Sequence, residues 1–172
     1  FENGVLTGKG FSFGGSRIRP EATGYGAVYF LESVLKDDGQ DIKGKTIAAA
    51  GFGNVTWGTV QKVTELGGKV VTLSGPDGYV YDEAGISGEK IEYLLEMRAS
   101  CRDQVKDYAD KFGVPFYPGE KPWGVKVDVI IPCATQNEIL LDDAKTIVAN
   151  GVKFVCEGAN MPSTNEAIEY FI

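Results

Sequence analysis

Histidine is missing altogether from these 172 residues. Its absence removes Ser-His and Cys-His nucleophile pairs, imidazole acid-base work and the commonest zinc ligand, so any chemistry must rest on carboxylates, lysines or a bound cofactor. Cysteine is scarce: Cys101, Cys133 and Cys156 are an odd number without CxxC spacing, which suits reduced thiols in a cytoplasmic protein better than a disulfide frame or a zinc knuckle. Basic charge is in deficit, with 17 Lys and Arg against 24 Asp and Glu, and the net charge of -7 argues against nucleic acid or an anionic membrane as a partner. Long apolar runs are absent too; the longest are about half a dozen residues, against the roughly 20 needed to cross a bilayer, and no signal peptide is evident.

What is present is the composition of one well-packed domain: 43% hydrophobic residues over a length suited to a single core. Residues 1–172 are therefore expected to form one unit. Apolar residues at Val28, Leu31 and Leu35 follow Pro20 and predict a helix over Glu21 to Lys36. Lys45 to Ala50 reads as a buried strand, and Val55, Thr59, Val63 and Leu66 lie at helical spacing before Gly67-Gly68. A strand at Lys69 to Ser74 comes next, then a turn-rich SGPDGYVYD stretch suited to a small hairpin or a loop.

Ser87 is placed to cap one long helix whose apolar face runs from Ile91 through Cys101 to Phe112 and ends near Gly113. The Pro- and Gly-rich VPFYPGEKPWG reads as a connection. Val127 to Pro132 predicts a continuous apolar strand, Glu138 to Ala149 a helix, Val152 to Val155 a strand, and the stretch from Ser163 another helix. Strands alternating with helices, each strand apolar along its length, imply a doubly wound α/β fold with a mostly parallel, Rossmann-like sheet.

Within it, Gly51-Phe52-Gly53-Asn54-Val55-Thr56 matches the first two glycines of the dinucleotide fingerprint, with Thr56 at the third small position. Gly51 can make the strand-to-helix turn, and Gly53 can leave room for a pyrophosphate over the N–H groups of the helix start. Thr56, β-branched at a close helix-strand contact, is expected to widen the packing slightly. The βαβ unit from Lys45 to Ser74 has the length such a site needs. Where an acid for the adenosine ribose should stand, the sequence has Ser74-Gly75-Pro76, with Asp77 the nearest carboxylate. Ser74 can bind a ribose hydroxyl, and with no Arg or Lys cluster nearby in sequence, NAD is favoured over NADP.

Three further blocks, FSFGGSRIRPEATGYG (11–26), PCATQNEI (132–139) and EGANMPSTNEA (157–167), together with GFGNV, closely resemble the cofactor domain of the hexameric bacterial glutamate dehydrogenases. GFGNV alone also fits leucine and phenylalanine dehydrogenases, whereas RPEATGYG and SGPDGYVYD tilt toward the NAD-using clostridial glutamate dehydrogenases. The resemblance covers essentially the whole chain. It implies reversible oxidative deamination of L-glutamate to 2-oxoglutarate and ammonia, with hydride passing to NAD. It also implies that Arg19 and Thr23 place the nicotinamide end, Asn54 and Val55 meet the pyrophosphate, and Ser74 approaches the adenosine ribose. Ala134 and Thr135 would lie along the nicotinamide ribose, and Asn160 would fix the nicotinamide face.

Each of these has a plainer rival: Arg19 in a surface ion pair, Thr23 at a helix start, Asn160 in a turn, Ser74 as a polar strand end. Cys133, Cys156, Trp57 and Trp123 read as packing residues. No catalytic residue and no metal site is assigned. The resemblance implies that the essential lysines and aspartate belong to a substrate domain before this chain, with residues 1–20 resembling the connection from it. The chain is thus expected to bind dinucleotide with little or no turnover, and to be a monomer although the parent family is hexameric. The alternatives are a stand-alone nucleotide-binding regulatory module, another amino-acid dehydrogenase, or a methyltransferase using S-adenosylmethionine.

Overall fold

A computed structural model describes Ser12 and residues 20–172; Arg19 and most of the segment before it lie outside the described residues. Helix α1 (Ala22–Asp37) is followed by strand β1 (Thr46–Ala49), helix α2 (Asn54–Glu65), and strands β2 (Lys69–Gly75) and β3 (Gly78–Tyr81). Then come helices α3 (Glu89–Ala99) and α4 (Lys106–Phe112), strand β4 (Phe116–Pro118), a single 3-10 turn (Pro122–Gly124), strand β5 (Val129–Ile131), helix α5 (Leu141–Ala149), strand β6 (Phe154–Val155) and helix α6 (Asn165–Phe171).

The six strands form one sheet in the order β4-β3-β2-β1-β5-β6. Strands β2, β1, β5 and β6 run parallel, while β3 and β4 extend the sheet antiparallel beyond β2. Successive residues of a strand point to opposite faces, and here they divide between two cores. Ile47 and Ala49 of β1 with Val129 and Ile131 of β5 join the apolar faces of α1, α2, α3 and α4. Ala48, Ala50 and Ile130 join Trp123, Ile139, Ala144, Ile147 and Ala167 on the side of α5 and α6. This sharing of the central strands by two helical layers explains why they read as unbroken apolar runs, and it is the doubly wound arrangement the sequence predicted.

Three expectations change. The long helix to Gly113 is two helices, broken where Cys101 takes a positive φ of 54° and Ser100 Oγ donates back to the Met97 carbonyl at 2.6 Å. The apolar face carries on across the break because α4 starts anew under its own anchor: Asp77 accepts from the Val105 and Lys106 amides at 2.9 and 3.0 Å. Ser87 does not cap α3; Gly88, with φ 56°, stands before it and no side chain caps the helix. The VPFYPG stretch, read as a connection, holds the edge strand β4, bounded by the prolines Pro115 and Pro118 that edge strands tolerate. Tyr117 stacks there on Tyr79 of β3, with ring centroids 4.7 Å apart.

Helix α1 lies against α2 at unusually short range. A Cβ on Gly24 would stand 2.4 Å from the Val55 carbonyl oxygen, and one on Gly58 would stand 2.7 Å from that of Glu21. Only two glycines permit this crossing, and Lys62 adds to it by placing its ammonium 4.3 Å from the Tyr25 ring centroid.

Candidate dinucleotide site

Strand β1 has β2 on one side and β5 on the other, so the chain leaves it in two directions, and the crevice at such a switch point is where open α/β sheets take ligands. A cavity of about 670 Å³ lies there, walled by the ends of all three strands: Gly51, Phe52 and Gly53 after β1, Ser74 to Pro76 at β2, and Cys133 to Thr135 after β5. The lining is completed from farther along the chain by Met97, Arg98, Cys101 and Arg102, and by Lys121, Trp123 and Glu138.

The glycine turn is built by different forces at its two glycines. Gly51 has φ 80°, and a Cβ there would meet Thr56 Oγ1 at 2.8 Å and Ala134 Cβ at 3.3 Å. Gly53 has no atom within 4 Å of where a Cβ would stand, so the space above it is open. No side chain caps α2 at Gly53, which leaves the first amides of a 12-residue helix to whatever enters the cavity. This arrangement fits the pyrophosphate of a dinucleotide: vacant volume over a bare helix start, with no carboxylate capping it. Asn54 opens α2 with its amide oxygen buried and, among the described residues, unpartnered. Val55 follows, partly buried against the first core.

Thr56 has a use that its bulk did not suggest. It is fully buried, and its Oγ1 donates to the Ala50 carbonyl at 2.8 Å, satisfying the last carbonyl before the turn. A glycine here would leave that acceptor without this donor. The hydroxyl thus stitches helix to strand.

Ser74 ties the second strand to the turn: its Oγ accepts from the Gly51 amide at 2.9 Å, and its own amide donates to the Gly51 carbonyl at 3.3 Å. The Ser74 hydroxyl hydrogen is still available to the cavity. Asp77 is put to another use, since both its oxygens anchor the start of α4, and it is not among the lining residues. The missing acid at Gly75 has a steric cause: a Cβ there would stand 2.7 Å from Asp77 Oδ1 and 3.0 Å from the Phe52 ring. The supposed lack of nearby cations is also corrected, because α3 and the loop after it bring Arg98 and Arg102 to the cavity from more than twenty residues away. Arg102 is paired with Asp107 at 3.2 Å.

After β5, Ala134 and Thr135 are exposed on the cavity wall. Their turn is closed by Glu138, which sequence reasoning passed over although it lies in the same CATQNE block. Glu138 is 8% exposed; its Oε1 accepts from the Ala134 amide at 3.0 Å, and its carbonyl accepts from Lys121 Nζ at 2.7 Å and Trp123 Nε1 at 3.1 Å. Burial pushes its carboxyl up to about 7, against the opposing pull of the Ala134 and Thr135 amides and the Lys121 charge. Thr23 stands exposed in the first turn of α1. Asn160 is exposed in the loop before α6, outside the lining, in a segment held by the Gly158 and Ala159 amides, each donating to the Pro132 carbonyl at 3.0 Å.

The two buried thiols, Cys133 and Cys156, are kept unreactive by their environment. Burial pushes Cys133 up to about 12 and Cys156 to about 11. Among the described residues no group of three or more His, Cys, Asp or Glu could hold a metal ion, and no helix is long and apolar enough to cross a membrane.

Sheet order, glycine turn and crevice define an α/β protein of the doubly wound, Rossmann-like class. The chain belongs to the glutamate/leucine/phenylalanine/valine dehydrogenase family, which matches residues 14–172. It is 65% identical to an NAD-specific glutamate dehydrogenase of Clostridium symbiosum, over 100% of this chain and 38% of that protein. An NADP-specific glutamate dehydrogenase of Haemophilus influenzae is 51% identical over 96% of this chain and 37% of its own length. A solved glutamate dehydrogenase structure superposes with a TM-score of 0.90 at 65% identity, covering 97% of this chain and 37% of that one. The chain thus spans less than two-fifths of the length of these relatives.

Proposed function

We propose that residues 1–172 are the dinucleotide-binding domain of an NAD-dependent glutamate dehydrogenase. The observation that carries this reading is the uncapped start of α2 above open space at Gly53, at the switch point of the sheet. The likeness to NAD-specific glutamate dehydrogenases supports the choice of reaction: L-glutamate, NAD and water to 2-oxoglutarate, ammonia and NADH. Bound there, the nicotinamide supplies the hydride acceptor.

The chain's own work is to bind and orient. The amides of Asn54 and Val55 take the pyrophosphate, with Gly51 shaping the turn and Gly53 leaving room. Ser74 offers its hydroxyl to the adenosine ribose, while Asp77 acts indirectly by fixing α4 beside that end of the cavity. Ala134 and Thr135 line the nicotinamide ribose. Arg19, Thr23 and Asn160 serve the nicotinamide end. NAD is the preferred dinucleotide; NADP, which carries a further phosphate, is the weaker ligand. Hydride transfer needs glutamate held at near-attack distance, and the residues of this chain assigned here hold only the dinucleotide. Little or no turnover is therefore expected of the chain alone, which we take to be a cytoplasmic monomer derived from a hexameric parent.

Isothermal titration with NADH and NADPH tests the reading. Saturable NADH binding, tighter than NADPH, is the expected result. No saturation with NADH at millimolar concentration overturns it.

A further inference from the structure

The wall after β5 contains a feature that dinucleotide binding by itself does not require. A buried carboxylate, Glu138, lines the same cavity as Gly51 and Gly53. Its Oε1 closes the turn through the Ala134 amide at 3.0 Å, while Lys121 and Trp123 hold its main-chain carbonyl, so the backbone from which the buried carboxylate projects is fixed in the wall. An anion entering this cavity therefore meets a carboxylate that is buried in its wall and tied to the turn. Protonation of that carboxylate lowers the repulsion.

We propose that Glu138 is a proton-linked positioning residue: its carboxylate holds the Ala134–Thr135 turn in the cavity wall, and it takes up a proton when a dinucleotide enters. The inference rests on the reading of the cavity as a dinucleotide site. The groups around Glu138 set the balance. On its own loop the Ala134 and Thr135 amides favour the charged form, as does Lys121 from the segment before the 3-10 turn, whose ammonium is shared with Asp143 of α5 at 3.6 Å. The Cys133 thiol at the end of β5 is neutral, its proton held by burial. Arg98 of α3, Arg102 of the following loop, Asp103 and Glu120 belong to the same lining, and Arg102 is paired with Asp107. With its carboxyl already pushed up to about 7 by burial, Glu138 is poised so that a ligand's negative charge and exclusion of water shift its proton occupancy near neutral pH.

The test is calorimetric titration of the chain with NADH, which has no group of its own titrating between pH 6 and pH 9, in buffers of different ionisation enthalpy. The slope of observed heat against buffer enthalpy counts protons taken up. A one-unit upward shift predicts roughly 0.4 proton at pH 7 and less than about 0.1 at pH 9. Glu138→Gln, which keeps the acceptor for Ala134, should bind NADH with the slope abolished. A wild-type slope of zero at pH 7, or the same slope in the variant, overturns the proposal while leaving the cavity a dinucleotide site. If NADH does not bind in any buffer, both readings fall together. Should the variant not fold, the contrast between pH 7 and pH 9 in the unaltered chain decides the matter.

Discussion

Two turns stand side by side in the cavity wall, one after β1 and one after β5, and they treat their backbone amides in opposite ways. The first, Gly51 to Thr56, has no side chain capping the helix start and keeps open volume above Gly53. The second, Cys133 to Glu138, brings its own carboxylate and engages the Ala134 amide internally. A helix start left bare is a receptor for an anion, whereas a turn closed by a buried acid is a fixed wall. The pair teaches that two loops at equivalent ends of parallel strands can divide the labour, one attracting the charged middle of a ligand and the other defining where its flank must lie.

The sharpest way to break the contrast is at Gly51. Gly51→Val puts a β-branched residue at φ 80° with its Cβ 2.8 Å from Thr56 Oγ1, so it should cost about 3–5 kcal/mol, read by denaturant unfolding, and lose NADH binding as well. Gly53→Val should separate the two effects. With nothing within 4 Å of its Cβ, the fold is expected to stay within about 1 kcal/mol of the parent, while NADH affinity by calorimetry falls at least about 100-fold.

On the other turn the readout is pH. Glu138 holds its proton more tightly folded than unfolded, 4.5 being its ordinary value and about 7 its folded one. The folded state therefore binds more protons between these limits, and this residue's contribution to stability is full below pH 4.5, declines as pH rises, and is gone above about 7. The unfolding free energy of the parent relative to Glu138→Gln should fall by up to about 3 kcal/mol across that window; parallel pH profiles would remove Glu138 as a buried titrating group. The smallest effect is expected from Asp77→Ala, which leaves both turns intact but frees two amides at the start of α4. A loss of about 1 kcal/mol in stability, with NADH affinity changed less than about threefold, would separate its anchoring role from direct ribose contact.

The architecture was legible because its signals are local or periodic. Strands buried on both faces read as apolar runs, and Gly67, with φ 82°, ends the α2 segment where the sequence placed the stop. What escaped depends on contacts between distant residues. The break between α3 and α4 sits inside an uninterrupted apolar face, and Asp77, twenty-eight positions before Val105, anchors the restart. The edge strand β4 was hidden by the prolines that suit it to an edge.

At the site, the glycine turn and its setting were readable from spacing, but the uses of Thr56 and Asp77 were not, because a hydroxyl or carboxylate shows no partner until the chain is folded. Arg98 and Arg102 illustrate the same limit: a cluster sought near Ser74 in sequence arrives instead by the fold. The CATQNE block did carry a clue, an acid three residues beyond an exposed threonine, which a search for turn-closing side chains would have caught.

The glycine contact between α1 and α2 carries a mechanical consequence. Where helices meet through long side chains, rotamer changes supply slack, and one helix can shift while its neighbour stays still. At Gly24 and Gly58 backbone lies on backbone, with no intervening cushion to compress or rearrange. The beginning of α1 and the uncapped end of α2 are therefore geared together, so that a displacement of one is passed to the other.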